Sequence, residues 1–528
     1  MNHFHKNESV PPWQEIAEPK TFASLTSDLK VDVCIVGGGF GGLTSAYLLV
    51  KEGLSVAVLE DAGIASGQSG RSTAQLTYAL DHRYYDLEKL HGREGIKLAA
   101  ESHRAAISKV REIINEEEID CESSSLSGFL VTPRNYKTQS LQDEFDILQK
   151  IGMTDIVLHS QAPFQFLNDC SAIEFPNQFK LNPRQYLQSL AKIIVARGGK
   201  IFTGTRAVKF FGGKNAYVKT ADGFKVSCSS ILVATHTPVN DILSIHTKQA
   251  AYRTYVMGFK IAKGSLPNIL CWDTMDPYHY VRLAQLDSSE FEALIVGGED
   301  HKTGQENFPE ERYRSLEKWT YDRFQMAGEV LWRWSGQIME PHDGLAFLGR
   351  NPSDNNNVYV ITGDSGNGTT SATIGAMIIT DQIRNRKNNW ADLYSPSRIS
   401  IRSGSEFIKE NANTAAQYAD WVRPTNMNAL AHLKFKEGIV YRKGLSPIAV
   451  YKDASGGIVE LSPICPHLGG IVRWNSSEKS WDCPCHGSRF DCYGKLIEGP
   501  AIKDLEVLTS NQGSSSCVPA FDSPDLSI

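Results

Sequence analysis

The order of apolar and polar positions over residues 31–60 predicts a strand, a tight turn, a helix and a second strand. Residues 31–36 are apolar and mostly β-branched, as in a buried parallel strand. A glycine-rich turn follows, and the next segment places apolar residues on one face of a helix until Gly53 breaks it. A second apolar run fills 55–59. This order is typical of the first unit of a doubly wound α/β sheet.

Other periodic segments extend the pattern over the first 390 residues. The pattern predicts one or two helices over 81–117 and single helices over 140–152, 183–196 and 308–327. The predicted strands are 128–133, 200–205, 207–211, 230–236, 332–338 and 358–361. Strands that alternate with helices of this length indicate a parallel sheet covered by helices.

The pattern changes between residues 249 and 298. Apolar and polar positions alternate there and aromatic residues are frequent, which predicts a mostly antiparallel sheet forming a second, substrate-facing lobe. The sequence GGEDHKTG at 297–304 is expected to form a polar turn. We expect a further glycine turn at 363–368, at the start of a helix.

The last hundred residues have a third texture. Short alternating runs separated by glycine turns, such as EGIVYRKG and PIAVYKD, predict a small all-β domain. A mixed linker with breaks at Pro396 and Pro424 precedes it, and a tail rich in Ser, Gly and Pro follows. We expect the tail to be disordered.

Length, charge and terminal composition restrict the class of protein. A chain of 528 residues is too long for one core, so we expect two or three domains. The net charge of −6, without a basic block, argues against a nucleic-acid partner. The first twenty residues lack the pattern of a signal peptide, and no apolar run is long enough for a transmembrane segment, so we expect a cytoplasmic protein.

The glycine turn after the first strand predicts an adenine dinucleotide site. It fits G-x-G-x-x-G, in which the glycines permit a tight turn, a close approach of the pyrophosphate and close helix packing. An acid about twenty residues later is placed to bind a ribose diol and would repel a 2′-phosphate, which leaves FAD and NAD. A glycine-rich core turn is the structural alternative. The residues expected to bind the dinucleotide here are Gly37, Gly39, Phe40, Gly41, Gly42 and Glu60.

Three later segments are expected to complete this site. Small residues at 62–78 would let the backbone run close to a flat ligand, although an ordinary Ser/Gly loop is the alternative. A chain near 208 could pass the adenine, and the helix after the 363–368 turn can direct its dipole at the negative end of a reduced ring system. The residues assigned to these roles are Arg71, Ser72, Thr73, Val208, Gly363, Asp364, Gly366 and Gly368.

The all-β segment carries a second candidate site. Cys465-Pro-His467 and Cys483-Pro-Cys-His486 supply two thiolates and two imidazoles from two loops. A structural zinc ion could use the same four side chains. A Rieske [2Fe–2S] centre, in which two histidines replace two cysteines on one iron, fits the flanking CPHLGG and CPCHGSRFD better. We expect the cysteines on one iron and the histidines on the other.

Candidate catalytic residues are weaker. Tyr280 and Arg282 stand two apart on a predicted strand, so they share a face and could hold a substrate carboxylate. A solvated strand face is the alternative. His301 in the 297–304 turn could move a proton, or it could be a turn histidine bonded to backbone.

The motifs together identify two known families. Residues 31 to about 390 resemble the D-amino-acid-oxidase-like (DAO) FAD-dependent oxidoreductases, through GGGFGG at 37–42, SGRST at 69–73, DGLAFLGR at 343–350 and TGDSGNGT at 362–369. Residues from about 428 to 508 are similar to a Rieske domain. The resemblance implies FAD rather than NAD. TGDSGNG departs from the Gly-His common at that turn in the oxidases, which disfavours an oxygen-reducing oxidase.

The Rieske resemblance also bears on the cysteines. In respiratory Rieske proteins the position of Cys485 forms a disulfide with a cysteine in the first box, where this chain has Gly470. The resemblance therefore implies that this disulfide bond is absent, and we expect Cys485 and Cys492 to be free thiols. It also implies that Gly469, Gly487 and Ser488 donate hydrogen bonds to the bridging sulfides.

The expected fold is an α/β FAD-binding Rossmann-type domain of the DAO type with an interleaved antiparallel-sheet substrate lobe, plus a small all-β Rieske domain. The expected divisions are an N-terminal extension (1–30), the FAD domain (31–395, with its lobe at about 245–340 and in parts of 120–200), a linker (396–427), the Rieske domain (428–510) and a tail (511–528).

The expected function follows from joining a two-electron and a one-electron carrier. We expect a dehydrogenase that oxidises a small amine, amino acid or hydroxy acid and passes electrons singly through the Rieske cluster to an acceptor, with a protein as donor or acceptor allowed. The alternative is an electron relay for a protein partner, without its own small-molecule substrate. A Rieske oxygenase is disfavoured, because only 36 residues without a histidine pair follow Cys492.

Overall fold

The computed structural model describes residues 9–15, 21–136, 138–240, 244–355, 357–399, 404–421, 428–444 and 446–510. These residues form two compact units. The larger comprises Val10–Asp300 and Arg312–Glu410, and the smaller includes His301–Glu311 and the chain from Asn411 onward. Among the described residues, no helix is both long and apolar enough to cross a bilayer. The predicted 511–528 tail lies outside the described residues.

The helices are α1 (Pro12–Glu15), α2 (Phe40–Lys51), α3 (Gln68–Arg71), α4 (Tyr84–Glu116), α5 (Thr138–Lys150), α6 (Pro183–Ala196), α7 (Pro309–Arg323), α8 (Gly368–Ile383), α9 (Gly404–Gln417) and α10 (Asn428–Ala431). The strands up to residue 262 are β1 (Leu29–Lys30), β2 (Val33–Val36), β3 (Val56–Leu59), β4 (Gln75–Leu76), β5 (Ser124–Pro133), β6 (Val157–His159), β7 (Cys170–Lys180), β8 (Lys200–Phe202), β9 (Ala207–Phe211), β10 (Tyr217–Thr220), β11 (Lys225–Ser227), β12 (Ser230–Val233) and β13 (Gln249–Ala262). The later strands are β14 (Leu270–Asp273), β15 (His279–Gln285), β16 (Phe291–Lys302), β17 (Val330–Pro341), β18 (Phe347–Arg350), β19 (Val358–Thr362), β20 (Glu437–Lys443), β21 (Ser446–Lys452), β22 (Ile458–Leu461), β23 (Arg473–Asn475), β24 (Ser480–Asp482), β25 (Arg489–Asp491), β26 (Leu496–Glu498) and β27 (Val507–Ser510).

The larger unit contains the predicted doubly wound sheet. Its strand order is β18-β19-β12-β2-β3-β8, with parallel pairing except for the β18 edge, which runs antiparallel to β19. All four residues of β2, β3 and β12 are buried, as expected for a sheet covered on both faces. The carboxyl ends of β2 and β12 lead directly into glycine- and threonine-containing turns, where such sheets bind ligands.

Helix α6 shows why the sequence predicted its bounds correctly. Pro183 occupies its first turn, and the Asn182 side chain accepts hydrogen bonds from the N–H groups of Arg184 and Gln185. Helix α4 was predicted as one or two helices over 81–117, and it is continuous except at Gly92, whose backbone is non-helical. Its buried face lies in the large apolar core that also contains α2 and α8.

The substrate lobe is a nine-stranded sheet in the same unit. Its order is β17-β13-β16-β15-β14-β5-β7-β4, with β6 paired to β7, and most pairs are antiparallel, as predicted. The β5–β14 pair is parallel. The N-terminal Trp13 belongs to this lobe, since it is buried and its ring centroid lies 6.4 Å from that of Trp334 on β17.

The smaller unit contains two antiparallel sheets of four strands, β20-β21-β22-β27 and β23-β24-β25-β26. This agrees with the predicted all-β domain. A buried core of apolar residues and cysteines lies within it, with Trp481 and Phe490 fully buried. Loops of the second sheet and the loop before β23 carry the Cys/His boxes.

Two sequence expectations differ from the structure. The GGEDHKTG segment is not a turn from 297, because β16 continues to Lys302 and pairs Gly297 with Tyr280. Glycine is required there, since a Cβ on Gly297 would lie 2.1 Å from the Tyr280 ring. The predicted linker 396–427 contains helix α9, whose apolar Phe407 and Ile408 follow an acidic first turn.

Candidate cofactor and substrate sites

The turn between β2 and α2 has the shape that the glycine motif predicted. Gly37 adopts φ +112° and carries its backbone beside Ala234, so a Cβ there would lie 2.3 Å from the Ala234 carbonyl oxygen. A Cβ on Gly42 would lie 1.9 Å from the Gly37 carbonyl oxygen. Helix α2 therefore begins in close contact with the turn, and its start carries glycines at 39, 41 and 42 around Phe40, without a side-chain cap from Gly39.

Glu60 lies across from this turn at the end of β3. Its Oε2 accepts a hydrogen bond from the N–H of Gly38 at 2.6 Å, and its Oε1 accepts one from Ala62 at 3.1 Å. Burial raises the pKa of Glu60 to about 8, and the neighbouring Asp61 adds to the increase. The glycine turn, the helix start and this carboxylate fit an adenine dinucleotide.

The SGRST segment closes over the start of α2. Ser69 Oγ accepts a hydrogen bond from the N–H of Phe40 at 3.1 Å, and a Cβ on Gly39 would lie 2.5 Å from the same oxygen. Arg71 Nε donates to the Ser335 carbonyl at 2.6 Å, while Ser72 Oγ accepts from Ala74 N–H at 3.0 Å. The segment thus joins the dinucleotide turn to the lobe, a role for Ser69 that sequence reasoning missed.

Arg282 holds the same segment from the lobe side. It is 2% exposed, and its guanidinium donates to the backbone carbonyls of Thr73 and Leu181 and stacks over the Trp13 ring at 5.3 Å. Desolvation by burial lowers the pKa of Arg282 to about 10. Since backbone carbonyls occupy its donors, we do not propose Arg282 as a carboxylate clamp.

The other two catalytic candidates also have structural surroundings. The Tyr280 ring lies over Gly297 on the neighbouring strand, and burial raises the pKa of its hydroxyl. His301 belongs to the smaller unit, and its Nδ1 lies 2.8 Å from the Lys302 carbonyl oxygen. This is the arrangement of a histidine bonded to backbone.

The 363–368 turn opens α8 as predicted. Gly363 and Gly366 have φ of +75° and +71°. Asp364 Oδ1 accepts a hydrogen bond from the Met339 N–H at 2.8 Å and lies 3.2 Å from His236 Nε2. These contacts fix the turn to strand β17. Helix α8 begins directly after the turn, at Gly368, and the backbone N–H groups of its first turn have no partner within the helix.

Carboxylates that the sequence analysis did not single out surround this turn. Ser365 Oγ donates to Glu340 Oε2 at 2.8 Å. A Cβ on Gly366 would lie 1.7 Å from Asp81 Oδ2, so only glycine leaves room for that carboxylate. Glu340 lies near the end of strand β17 of the lobe. Its place at a strand end was the one feature of the sequence that could have indicated a functional residue there.

Val208 lies on β9, in a four-stranded sheet of order β1-β11-β10-β9. This sheet is separate from the six-stranded sheet. The structure therefore places Val208 on a different sheet from the glycine turns of residues 37–42 and 363–368, and its contact with an adenine stays a prediction.

The two Cys/His boxes lie on two loops of the smaller unit. In the first, Cys465 N–H donates to the Gly470 carbonyl at 2.8 Å, which closes a tight loop around His467. In the second, Cys483 N–H donates to the Ser488 carbonyl at 2.8 Å and closes a similar loop around His486. Each loop thus presents one cysteine and one histidine.

The loops bring the like ligands together. The ring centroids of His467 and His486 lie 5.0 Å apart, and the thiols of Cys465 and Cys483 lie within hydrogen-bonding distance of each other. Within the described residues, no group of three or more His, Cys, Asp or Glu side chains is placed around one metal ion. Two thiolates and two imidazoles in separate pairs fit a [2Fe–2S] centre, in which each iron takes two protein ligands.

The remaining cysteines of this unit differ from one another. Cys485 is a free thiol, as predicted, and a Cβ on Gly470 would lie 2.6 Å from its sulfur. Cys492 is disulfide-bonded, so the expectation of a free thiol there is wrong. Ser488 Oγ accepts a hydrogen bond from Ala501 N–H at 3.0 Å, which leaves its hydroxyl proton to donate elsewhere.

Two segments of the smaller unit pack against these loops: residues 301–311 and the end of the predicted 396–427 linker. Gln305 Nε2 donates to the Pro484 carbonyl at 3.2 Å, and Arg473 Nη1 donates to the Gly304 carbonyl at 3.2 Å. Tyr418 and Trp421 donate to the carbonyls of Leu468 and Gly469, both at 2.9 Å. The cluster loops are therefore held by segments outside the predicted Rieske boundaries.

Comparison with known families matches both halves of the chain. The model of the FAD dependent oxidoreductase (DAO) family matches residues 32–382, and that of the Rieske [2Fe-2S] domain matches residues 430–509. A Rieske 2Fe-2S iron-sulfur protein of Bacillus subtilis (strain 168), YhfW, is 28% identical over 96% of this chain and 99% of its own length.

Two further similarities concern the larger unit. The gamma-glutamylputrescine oxidoreductase of Escherichia coli (strain K12) is 23% identical over 69% of this chain and 86% of its own length. The crystal structure of glycine oxidase from Geobacillus kaustophilus superposes with a TM-score of 0.57 and 16% identity, covering 70% of this chain and 99% of that chain. The latter similarity concerns the fold.

Proposed function

Because this chain belongs to the FAD dependent oxidoreductase (DAO) family and carries a C-terminal Rieske domain, we propose that it dehydrogenates a small amine, amino acid or hydroxy acid and passes the electrons singly through the Rieske cluster. It is an oxidoreductase of the amino-acid and amine oxidase type, with FAD and a [2Fe–2S] cluster as cofactors. The observation that carries the proposal is that one chain holds both a dinucleotide turn and paired Cys/His loops.

The FAD would be held by the elements around α2. We propose that the start of α2 binds the pyrophosphate, that Glu60 binds the ribose, and that the SGRST segment and the 363–368 turn line the flavin. When bound, FAD supplies a two-electron acceptor for a C–H bond beside an amine or hydroxyl. The residue set proposed is Gly37, Gly39, Phe40, Gly41, Gly42, Glu60, Arg71, Ser72, Thr73, Val208, Gly363, Asp364, Gly366 and Gly368.

The cluster would be held by the two loops of the smaller unit. We propose that Cys465 and Cys483 bind one iron and that His467 and His486 bind the other. When bound, a Rieske cluster carries one electron at a time. One chain would thus convert two-electron oxidation into one-electron transfer, and an electron acceptor or donor protein is the proposed partner.

The electron-relay alternative is not favoured. The relative from Escherichia coli is named for oxidation of a small molecule, and the match covers most of that protein. We also propose a cytoplasmic location, since six cysteines of the described residues, apart from the proposed iron ligands Cys465 and Cys483, are free thiols, which reducing compartments maintain. The disulfide at Cys492 argues in the other direction, and fractionation of cells would decide.

Anaerobic mixing with candidate substrates tests the proposed function. Amines, amino acids and hydroxy acids are added to the purified holoenzyme, and the visible spectrum and the EPR signal of the reduced cluster are followed. We expect at least one compound to bleach the flavin and then to produce the cluster signal. A protein that no donor of any class reduces would contradict the dehydrogenase.

Removing one cluster ligand separates the two electron-transfer steps. In His486→Ala we expect iron and acid-labile sulfide to be lost, because an imidazole ligand is missing, while anaerobic bleaching of the flavin remains. Transfer to a one-electron acceptor should fall at least tenfold. His432→Ala, at an exposed position in the same unit, should behave as wild type. Unchanged acceptor reduction in His486→Ala would remove the cluster from the path.

A further inference from the structure

A cavity of about 330 Å³ in the larger unit lies next to the 363–368 turn. Asp81 and Glu340, which contact that turn through Gly366 and Ser365, both line it. The cavity extends from there to Glu144 on helix α5. Its volume is in the range of small-molecule sites.

The charged groups of the cavity wall are mostly acidic. The carboxylates are those of Asp81, Glu144, Glu340 and Asp273, and the basic groups are Arg83 and His82. Asp273 is already paired, since its Oδ2 lies 2.9 Å from the Nδ1 of His279. Three carboxylates then face two basic side chains.

The basic side chains are also engaged. Arg83 Nη1 donates to the Leu80 carbonyl at 2.8 Å, and its Nη2 lies 3.4 Å from the Asp273 carbonyl oxygen. His82 Nε2 lies 3.3 Å from Glu340 Oε2, and the hydrogen bond to Glu340 contributes to a raised pKa of His82. The cavity therefore offers more free acceptor than donor capacity.

Glu144 is the clearest sign of a missing partner. Its side chain is 1% exposed, and Oε2 accepts a hydrogen bond from the Tyr85 N–H at 3.1 Å. Its other oxygen, Oε1, is buried without a hydrogen-bond partner in the described structure. A buried carboxylate oxygen without a partner is costly, and a ligand cation placed beside it would offset this cost.

The titration of these groups agrees with the geometry. Burial raises the pKa of Glu144 to about 7, with Arg83 acting in the opposite direction. Burial likewise raises the pKa of Asp81 to about 7, with Arg83 lowering it and Glu340 raising it. Both carboxylates thus lack a positive charge close enough to offset desolvation.

We propose that this cavity binds a dicationic amine, with the amine to be oxidised near Asp81 and Glu340 and the distal ammonium at Glu144. This proposal rests on the proposed function and narrows its substrate class to diamines and polyamines, without an α-carboxylate. In such an oxidation the reacting ammonium first releases one N–H proton to solvent, and the C–H hydrogen then leaves with its electron pair as hydride to FAD, which yields an iminium ion.

Binding of non-oxidisable probes tests the proposal without turnover. Hexamethonium, with two quaternary ammonium groups, and glutarate, with two carboxylates, are titrated into the holoenzyme by equilibrium dialysis and by the flavin difference spectrum. We expect hexamethonium to bind and glutarate to bind at least tenfold more weakly. Tighter binding of glutarate would overturn the proposal, because Arg83 would then be the anchor of an acidic substrate.

The distal position is tested with Glu144→Gln. The amide can still accept the Tyr85 hydrogen bond, so the fold is kept while the charge is removed. We expect the affinity for hexamethonium to fall at least tenfold, and the KM for spermidine to rise. Asp146→Asn, an exposed position on the same helix, is the control and should bind as wild type. Equal hexamethonium affinity in Glu144→Gln and wild type would overturn the distal contact.

Failure of this proposal and failure of the proposed function give different results. If glycine or proline bleaches the flavin and putrescine and spermidine do not, the dehydrogenase stands and the dication site is overturned. If no donor bleaches the flavin, the dehydrogenase fails, and selective hexamethonium binding alone would still support the cavity as a dication site.

Discussion

Glu60 connects the glycine turn to the chain after β3 through its side chain. Its two carboxylate oxygens accept hydrogen bonds from Gly38 and Ala62, and the same group is the proposed ligand of the ribose. A residue with both tasks contributes to the preorganisation of the site as well as to contact with the cofactor.

Replacement of Glu60 by Gln should weaken FAD binding. Above pH 8, where Glu60 is ionised, the neutral amide keeps one acceptor oxygen but loses a charge-assisted hydrogen bond of about 1.5–3 kcal/mol, which corresponds to about 10- to 150-fold in affinity. The measurement is the dissociation constant of FAD for the deflavinated protein, from flavin fluorescence. Asp222→Asn, at an exposed turn position of the same unit, is the control. Equal affinities in Glu60→Gln and wild type would exclude Glu60 from the ribose site.

The spatial grouping of candidate residues was predictable where the chemistry is local in sequence. The glycine turn, Glu60 and the two Cys/His boxes lie within short motifs, and the structure brings each set together. Arg282 was different, because its partner Thr73 is 209 positions away and is a backbone carbonyl, which leaves no trace in a side-chain pattern. Glu144 was also missed, because its hydrogen-bond partner is the backbone N–H of Tyr85, 59 positions away.

At the scale of the elements, the start of α2 depends on small residues. Its first turn contacts the preceding loop so closely that Gly42 leaves no space for a Cβ beside the Gly37 carbonyl. Gly67, before α3, differs from it: a Cβ added there would have no heavy atom within 4 Å, and its φ is an ordinary −84°.

This contrast predicts different outcomes for two glycine substitutions. Gly42→Ala must displace α2 from the turn, since the clash is with backbone, so we expect purified protein with less than half of the wild-type FAD content and a lower melting temperature. Gly67→Ala should keep full FAD content. Content is measured as the ratio of flavin absorbance to protein absorbance. A fully loaded Gly42→Ala protein would show that the close contact is dispensable.

The ends of an element were predicted well where capping residues mark them. They were predicted poorly where pairing with a neighbouring strand determines how far a strand extends. Helix α6 begins at Pro183 after an Asn cap, and the sequence predicted both of its ends. Strand β16 was expected to stop near residue 297, because glycines and charges follow. Cross-strand pairing with β15 carries it through Gly298, the strand itself continues to Lys302, and a sequence pattern contains no record of that partner.

At the scale of the whole molecule, stability should depend on pH through His103. This side chain on α4 is 2% exposed, and burial lowers its pKa from 6.5 to about 3. Below pH 6.5 the unfolded chain binds a proton that the folded protein does not. Above pH 6.5 His103 is neutral in both states and does not lower the free energy of unfolding. As the pH falls from 6.5 toward 3, the free energy of unfolding decreases.

The expected loss is about 1.4 kcal/mol at pH 5.5, one unit below the unfolded value. Urea unfolding at pH 8 and pH 5.5, followed by flavin release, measures it. In His103→Leu the difference between the two pH values should shrink by about this amount, because no group titrates at the position. His432→Leu, at an exposed site, should keep the wild-type difference. Parallel pH profiles for wild type and His103→Leu would contradict this assignment.

The global organisation was predictable because the three sequence textures correspond to three kinds of sheet. The cavity next to the 363–368 turn was not, since Asp81, Glu144 and Glu340 come from an inter-element loop, a helix and a lobe strand that lie far apart in sequence. Only the fold brings them together, and no short motif marks any of them.

Because residues 301–311 belong to the smaller unit, this unit cannot be expressed as one continuous C-terminal fragment without losing part of its structure. Because Gln305 and Gly304 contact Pro484 and Arg473, an excised fragment that starts after α9 would lack a segment encoded some hundred codons upstream. An iron–sulfur domain moved into another protein would therefore need residues 301–311 as an added peptide. Chimeras between homologues should fold only when residues 301–311 and the C-terminal half come from the same parent.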